Sequence, residues 1–243
     1  MSLNKAYQFI MVLIFILSFG CTNSKDSIKV DKEYIALNYS KNILDYRVTP
    51  KHSVDKSGLM FSDQGAWFAF GLHKESNESI GFSGPFLMTQ QNGVWLSTSL
   101  MSTIIKVNNN FASLKREKGY SYSSHLEQSY SEDNISVLEK LVFKNGHTAL
   151  LQTNIKNTSN ENINLEFLWS HSPILVDGIS LSNSDNIIKI NSINTNAKGY
   201  LTFPKNSHVK LVDSLQYKAK NSFNLKPNET KEIVIALTFI FPE

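Results

Sequence analysis

Cysteine is all but absent: Cys21 is the single thiol in 243 residues, so no disulfide can close within the chain. Charge is sparse as well, at 19% of residues, and nearly balanced at a net +3. No stripe of lysine and arginine with interleaved aromatics occurs, which argues against nucleic acid as a partner. The histidines His52, His73, His125, His147, His171 and His208 stand more than twenty residues apart. Zinc sites need close pairs, so no metal site is expected. There is no G-x-S-x-G elbow for a nucleophilic serine, no G-x-G-x-x-G run and no P-loop. Nucleophilic hydrolysis and nucleotide chemistry are therefore unsupported, and no cofactor is expected. Helical periodicity is nearly missing too; the best candidate is a short piece around Lys32 to Asn38.

What is present begins with a sorting signal at residues 1–20. Lys5 supplies the positive n-region and Phe9 to Leu17 the apolar core, with small Ser18 and Gly20 just before Cys21. That apolar run is too short for a membrane span of about 20 residues. Leu-Ser-Phe-Gly-Cys at 17–21 resembles a bacterial lipoprotein box. An ordinary cleaved secretory signal is the alternative, but a lone thiol in an exported chain favours acylation at Cys21. Two or more acyl chains give stable attachment, so the protein is expected to be exported and anchored by lipid, on the periplasmic side or at the cell surface. Residues 21–33, polar through Thr22 to Lys32, read as a tether between lipid and fold.

From residue 34 to residue 243 the chain alternates short apolar segments with Asn-, Ser-, Gly- and Lys-rich turns. Ile135, Val137, Glu139, Leu141 and Phe143 fall on one face of a period-two run, as do Ile163, Leu165, Phe167 and Trp169. Ile233 to Ile240 is apolar on both faces, the pattern of a strand buried inside a sandwich. Turn signals recur at Asn92-Gly93, Asn145-Gly146, Asn157 to Asn160, Lys198-Gly199 and Lys226-Pro227-Asn228. A hydrophobic fraction of 41% can fill a core, and many short strands at this spacing predict one all-β domain, a large antiparallel β-sandwich.

The stretch Phe61 to Met88 is the densest part of the sequence. Trp67, Phe68, Phe70, Phe82 and Phe86 stand among Gly65, Ala66, Ala69, Gly71, Gly81 and Gly84. Rigid aromatic area combined with positions that admit close backbone approach predicts a hairpin, with His73 to Glu78 as its charged tip. Pro85 fixes the backbone where the second arm emerges.

Within and around this stretch, DQGAW at 63–67, FSGP at 82–85, VWLSTSL at 94–100 and NILDY at 42–46 are distinctive. Together they resemble the N-terminal β-sandwich domain of glycoside hydrolase family 63, in its bacterial branch of α-glucosidase and mannosylglycerate-hydrolase-like enzymes. The resemblance runs from about Tyr34 onward and is strongest in the first third. It implies a "supersandwich" that precedes an (α/α)6 barrel carrying the catalytic acids, and no such barrel follows in this sequence. It also implies that Trp67, Asp63, Gln64 and Pro85 lie at a sugar-binding or domain-docking surface. The bland alternative places Trp67 in the core and makes Asp63 a turn cap.

Glycoside hydrolysis needs a pair of carboxylates. Asp45, Asp63, Glu127, Asp133 and Glu139 are the available candidates, and each fits better as a turn cap, a hydrogen-bonded loop carboxylate or a solvated strand residue. The resemblance gives the catalytic acids no position here, so no catalytic residue is expected. The favoured reading is a non-catalytic, truncated N-terminal domain of an exported α-glycosidase acting on α-glucosides or related oligosaccharides, whose partner is the missing barrel or a separate catalytic chain. A stand-alone lipoprotein that binds oligosaccharide or another partner is the alternative.

Overall fold

The computed structural model describes residues 41–74, 80–88, 92–193 and 196–241. The sorting signal, Cys21, the tether and the Lys32–Asn38 piece lie outside these residues. The described residues belong to one compact unit, Tyr39–Glu243.

In chain order the strands are β1 (Phe68–Gly71), β2 (Ser83–Met88), β3 (Gly93–Trp95), β4 (Ser97–Val107), β5 (Asn110–Phe111), β6 (Lys115–Ser121), β7 (Leu126–Glu132) and β8 (Ile135–Asn145). They continue as β9 (Thr148–Asn157), β10 (Ile163–Pro173), β11 (Ile179–Ser184), β12 (Ile187–Ser192), β13 (Lys198–Thr202), β14 (His208–Leu211), β15 (Tyr217–Leu225) and β16 (Thr230–Ile240). No helix occurs among the described residues. One sheet runs β1-β2-β4-β10-β15-β14, with β3 beside β2 and β5 beside β4. The other runs β11-β12-β13-β16-β9-β8-β7-β6. All pairings are antiparallel except a short parallel contact of β2 with β4 through Gly84 and Ser99. This is the antiparallel sandwich that the strand pattern predicts.

Alternation sets which side chains meet. Ile135, Val137, Glu139 and Leu141 of β8 point inward, as do Ile163, Leu165, Phe167 and Trp169 of β10. The inner faces of both sheets share one apolar core. Phe68 of β1 lies 5.3 Å from Phe239 of β16 and 5.1 Å from Phe143 of β8, ring centre to ring centre. Trp169 lies 5.6 Å from Phe203. Offset and edge-on aromatic pairs of this kind add to the burial of their area.

The turns follow their residues. Asn108 and Asn109, both with positive φ, link β4 to β5 in a two-residue loop of the kind that matches strand twist. Asn228, also at positive φ, closes the Lys226–Glu229 turn before β16. Asn157 anchors the β9–β10 corner from within: its amide donates to the carbonyls of Glu161, Leu225 and Lys226, and its carbonyl oxygen accepts from Ser159.

Two strand expectations need correction. β16 is hydrogen-bonded on both sides by β13 and β9, yet only its inward face is covered: Val234 is 36% and Ile240 54% exposed. An apolar run on both faces marked an interior strand of a sheet that has one open face, not a strand enclosed on both faces. The hairpin of β1 and β2 forms as predicted, but His73 is no part of an exposed tip. It is buried and hydrogen-bonded to Ser83 Oγ at 2.9 Å. Residues 75–79 of the predicted tip lie outside the described residues.

Candidate functional site

The DQGAW segment forms a tight turn leading into β1. The Ala66 N–H donates to the Asp63 carbonyl at 3.1 Å, and Gly65 has a φ of +81°. The Asn145–Gly146 tip of the β8–β9 hairpin sits directly against it: a Cβ on Gly146 would lie 3.0 Å from the Gly65 carbonyl oxygen. Trp67 then projects from the end of the sandwich. It is 43% exposed, and its ring centre lies 6.3 Å from that of Phe241, just past β16. Ile240 beside Phe241 is exposed as well. Trp67 and Phe241 thus meet at one end of the fold, brought together from opposite ends of the folded chain, whereas Ile240 points to the other side of β16 from Phe239 and Phe241.

Trp67 is therefore not core, and the Asp63 turn is closed by its main-chain carbonyl instead of its carboxylate. Asp63 and Gln64 are exposed beside Trp67, and among the described residues neither side chain is held by a hydrogen bond. Pro85 parts company with them. It is buried in β2, where the peptide bond before it is cis and its carbonyl accepts the Leu96 N–H at 2.9 Å. A side chain so placed shapes the backbone of the hairpin and cannot itself touch a sugar at the surface. Phe241 was not legible as a partner of Trp67, because only the sheet topology brings them together.

The carboxylates do not converge into an acid–base pair. Asp45 is bound by the Arg47 guanidinium at 2.8 Å, which holds its carboxyl below the usual range. Glu127 contacts Lys140 at 3.1 Å on the outer face of the second sheet. Glu139, opposite Gln128 in the β7–β8 ladder, lies on the inner face. Successive strand residues face opposite ways, so Glu127 and Glu139 are separated by the sheet itself. Glu139 also corrects the expectation of a solvated strand carboxylate: it is wholly buried. Oε2 accepts from Gln128 Nε2 at 3.0 Å and Oε1 from Thr153 Oγ1 at 3.3 Å, while the same Gln128 nitrogen reaches the Gly81 carbonyl. Burial outweighs these bonds and pushes its carboxyl up to about 7.

Three histidines meet serines, two of them across sequence separations that spacing does not foretell. His73 pairs with Ser83, His171 Nδ1 with Ser97 Oγ at 3.4 Å, and His125 Nδ1 with Ser124 Oγ at 2.9 Å. Ser83 and Ser97 are fully buried, so neither hydroxyl can meet a substrate. The Ser124–His125 pair joins chain neighbours in one turn, with the imidazole laid flat on Tyr122 at 4.5 Å and Nε2 facing Glu127 at 3.7 Å. Burial lowers His73 to about 4, helped by the Arg116 charge, so it is neutral at pH 7. Among the described residues no three His, Cys, Asp or Glu side chains are grouped to hold a metal ion.

What this arrangement offers is an apolar, partly polar-rimmed end surface on a rigid sandwich. The family described as the N-terminal part of glucosidase YgjK matches residues 50–183, more than half of the chain. The chain belongs to that family. The span shared with the YgjK N-terminal family contains the Asp63–Trp67 turn, the β1–β2 hairpin and the strands through β10. No curated protein matches the chain in sequence. Among solved structures it is similar to a putative kojibiose phosphorylase from human microbiome, at 9% identity and a TM-score of 0.47 over 73% of this chain and 29% of that one. It is similar to the polysaccharide lyase BACCELL_00875, at 9% identity and a TM-score of 0.48 over 72% of this chain and 33% of that one. The galactosidase domain of the α-galactosidase-sucrose kinase AgaSK gives 10% identity and a TM-score of 0.46, over 75% and 42%. The chain thus spans less than half the length of each.

Proposed function

We propose that this chain is the non-catalytic N-terminal domain of an exported α-glycosidase of glycoside hydrolase family 63, one acting on α-glucosides or related oligosaccharides. In this reading Cys21 is acylated and holds the domain at the membrane, and the Trp67 end docks on an (α/α)6 catalytic domain. The observation that carries the docking is Trp67, 43% exposed and set against half-buried Phe241 at one end of a sandwich whose other large aromatics are mostly buried. Exposed aromatic anchors with open polar neighbours, here Asp63 and Gln64, are the composition of a recognition surface. The test places a photo-cross-linking residue at position 67 in the producing cell, with position 136 on the outer sheet face as control. A position-specific adduct carrying α-glucosidase activity is expected; no adduct, or equal adducts from both positions, would refute the docking.

A second reading rests on the same indole. An exposed tryptophan face suits the apolar face of a pyranose ring, so the domain could bind oligosaccharide by itself. Of the three tryptophans, Trp95 and Trp169 are buried, so quenching by solution ligands reports on Trp67. Saturable quenching by maltotetraose on the isolated chain would favour this reading over docking.

A further inference from the structure

The outer face of the first sheet carries a groove of about 800 Å³ that neither reading uses. Ladder register arranges it in two rows. Ile104 of β4 stands opposite Leu168 of β10, which stands opposite Lys220 of β15, which stands opposite His208 of β14. The adjoining row is Ser102, Ser170, Lys218 and Lys210. One half of the groove is apolar with the Ser170 hydroxyl, and the other half is cationic. Phe111 closes the apolar side; it is 67% exposed, with Lys106 Nζ 4.9 Å from its ring centre.

The cations are uncompensated within the fold. Lys218 and Lys210 are direct cross-strand partners, and Lys218 and Lys220 share a face two residues apart. Like charges placed so destabilise a sheet. Among the described residues no carboxylate is ion-paired with any of the three. Glu166, one row further along β10, is taken up by Lys106 at 3.0 Å. Three lysines that repel one another beside an open apolar floor make a site with affinity for anions. The main chain beneath the floor, in β10 and β15, is paired on both sides, and β14 is the edge strand of this sheet. An acidic peptide could add itself as a strand only along the outer edge of β14, at the margin of the groove, and would leave the apolar floor of Ile104 and Leu168 uncovered. A ligand read by side chains alone must bring its own flat apolar faces, hydroxyls and negative groups.

We infer that this groove binds an acidic oligosaccharide, with carboxylate or sulfate groups on Lys210, Lys218 and Lys220 and sugar-ring faces against Ile104, Leu168 and Phe111. The volume lies within the usual small-ligand range of roughly 300–1,000 Å³. The lysines lie beyond the span matched to the YgjK N-terminal family, so the inference does not depend on the glycosidase reading.

The test titrates the full chain by calorimetry with tetragalacturonate, a heparin-derived tetrasaccharide, maltotetraose and tetraglutamate. The same titrations are made on Lys218→Gln/Lys220→Gln, on Phe111→Ser, and on Lys198→Gln as a control on the other sheet. Saturable binding of at least one acidic sugar is expected, weaker at high salt; binding of tetragalacturonate shows that carboxylates suffice, and binding of the heparin-derived sugar alone shows that sulfate is needed. The double lysine variant should bind about tenfold more weakly and Phe111→Ser about fivefold, with Lys198→Gln unchanged. Denaturant titration shows that each variant is folded, which these exposed positions permit. The inference is overturned if neither acidic sugar binds saturably, if the double variant binds as well as the parent, or if maltotetraose or tetraglutamate binds as tightly.

Discussion

Replacing Glu139 by glutamine should remove a pH dependence of stability whose size follows from the burial of its carboxyl. In the folded state burial raises this group from 4.5 to about 7. Between those values the unfolded chain has lost the proton and the folded chain keeps it. Folding is then favoured by low pH: the contribution is full below pH 4.5 and is lost as pH rises through about 7. The slope is about 1.4 kcal/mol per pH unit, giving about 3 kcal/mol over the window. His73 acts in the opposite sense. Its folded value of about 4 lies below the ordinary 6.5, so it withdraws stability as pH falls through that interval. The two buried groups largely cancel in the parent protein, and a single denaturation curve against pH would hide both. The difference between parent and Glu139→Gln isolates the carboxyl, because His73 is common to the two. Urea unfolding at pH 4.5, 5.5, 6.5 and 7.5 should show the parent losing about 3 kcal/mol relative to the variant across that range. A difference that stays constant with pH would mean that Glu139 is ionised in the fold and would refute the reasoning.

Three further outcomes are expected. Gly93→Ala would place a methyl 2.1 Å from Phe86 Cε1, a ring already packed edge-on against Trp95 at 5.1 Å, and should cost about 2 kcal/mol of unfolding free energy. Asn157→Ala removes a fully buried side chain that serves three carbonyls and the Ser159 N–H, and should lower stability by about 2 kcal/mol in the same assay. Trp67→Ala should cost only about 1 kcal/mol, because its site is half open, while removing the tryptophan fluorescence that responds to ligands.

Period-two alternation was enough to read β8 and β10 face by face from the sequence, down to Glu139 falling on the inward row. What it could not supply was the environment of that face. Glu139 looked like a solvated strand residue because a single polar position in an apolar row is ambiguous until the opposing sheet is known. The same gap explains Ile233 to Ile240: the pattern marked an interior strand, but one sheet face remains open. The FSGP and DQGAW runs located the hairpin and its entry turn, yet only topology distinguishes Trp67, at the open end, from Pro85, buried one strand away. Lys218-Ala219-Lys220 carried a legible sign in its alternation of cation and small apolar residue. Its meaning needed Lys210, which arrives opposite Lys218 through the β14–β15 pairing.

We propose that this sandwich serves a glycosidase without doing the chemistry. This role is tested most directly by recovering the full chain from the membranes of its own cells under mild detergent, weighing what accompanies it, and assaying the eluate and the purified chain alone on α-glucosides. The account requires an inactive isolated chain and an eluate that hydrolyses α-glucosides through a larger polypeptide or a tightly held helical partner, with that partner lost in Trp67→Ala. Hydrolysis by the isolated chain, or an eluate with neither partner nor activity, would contradict it.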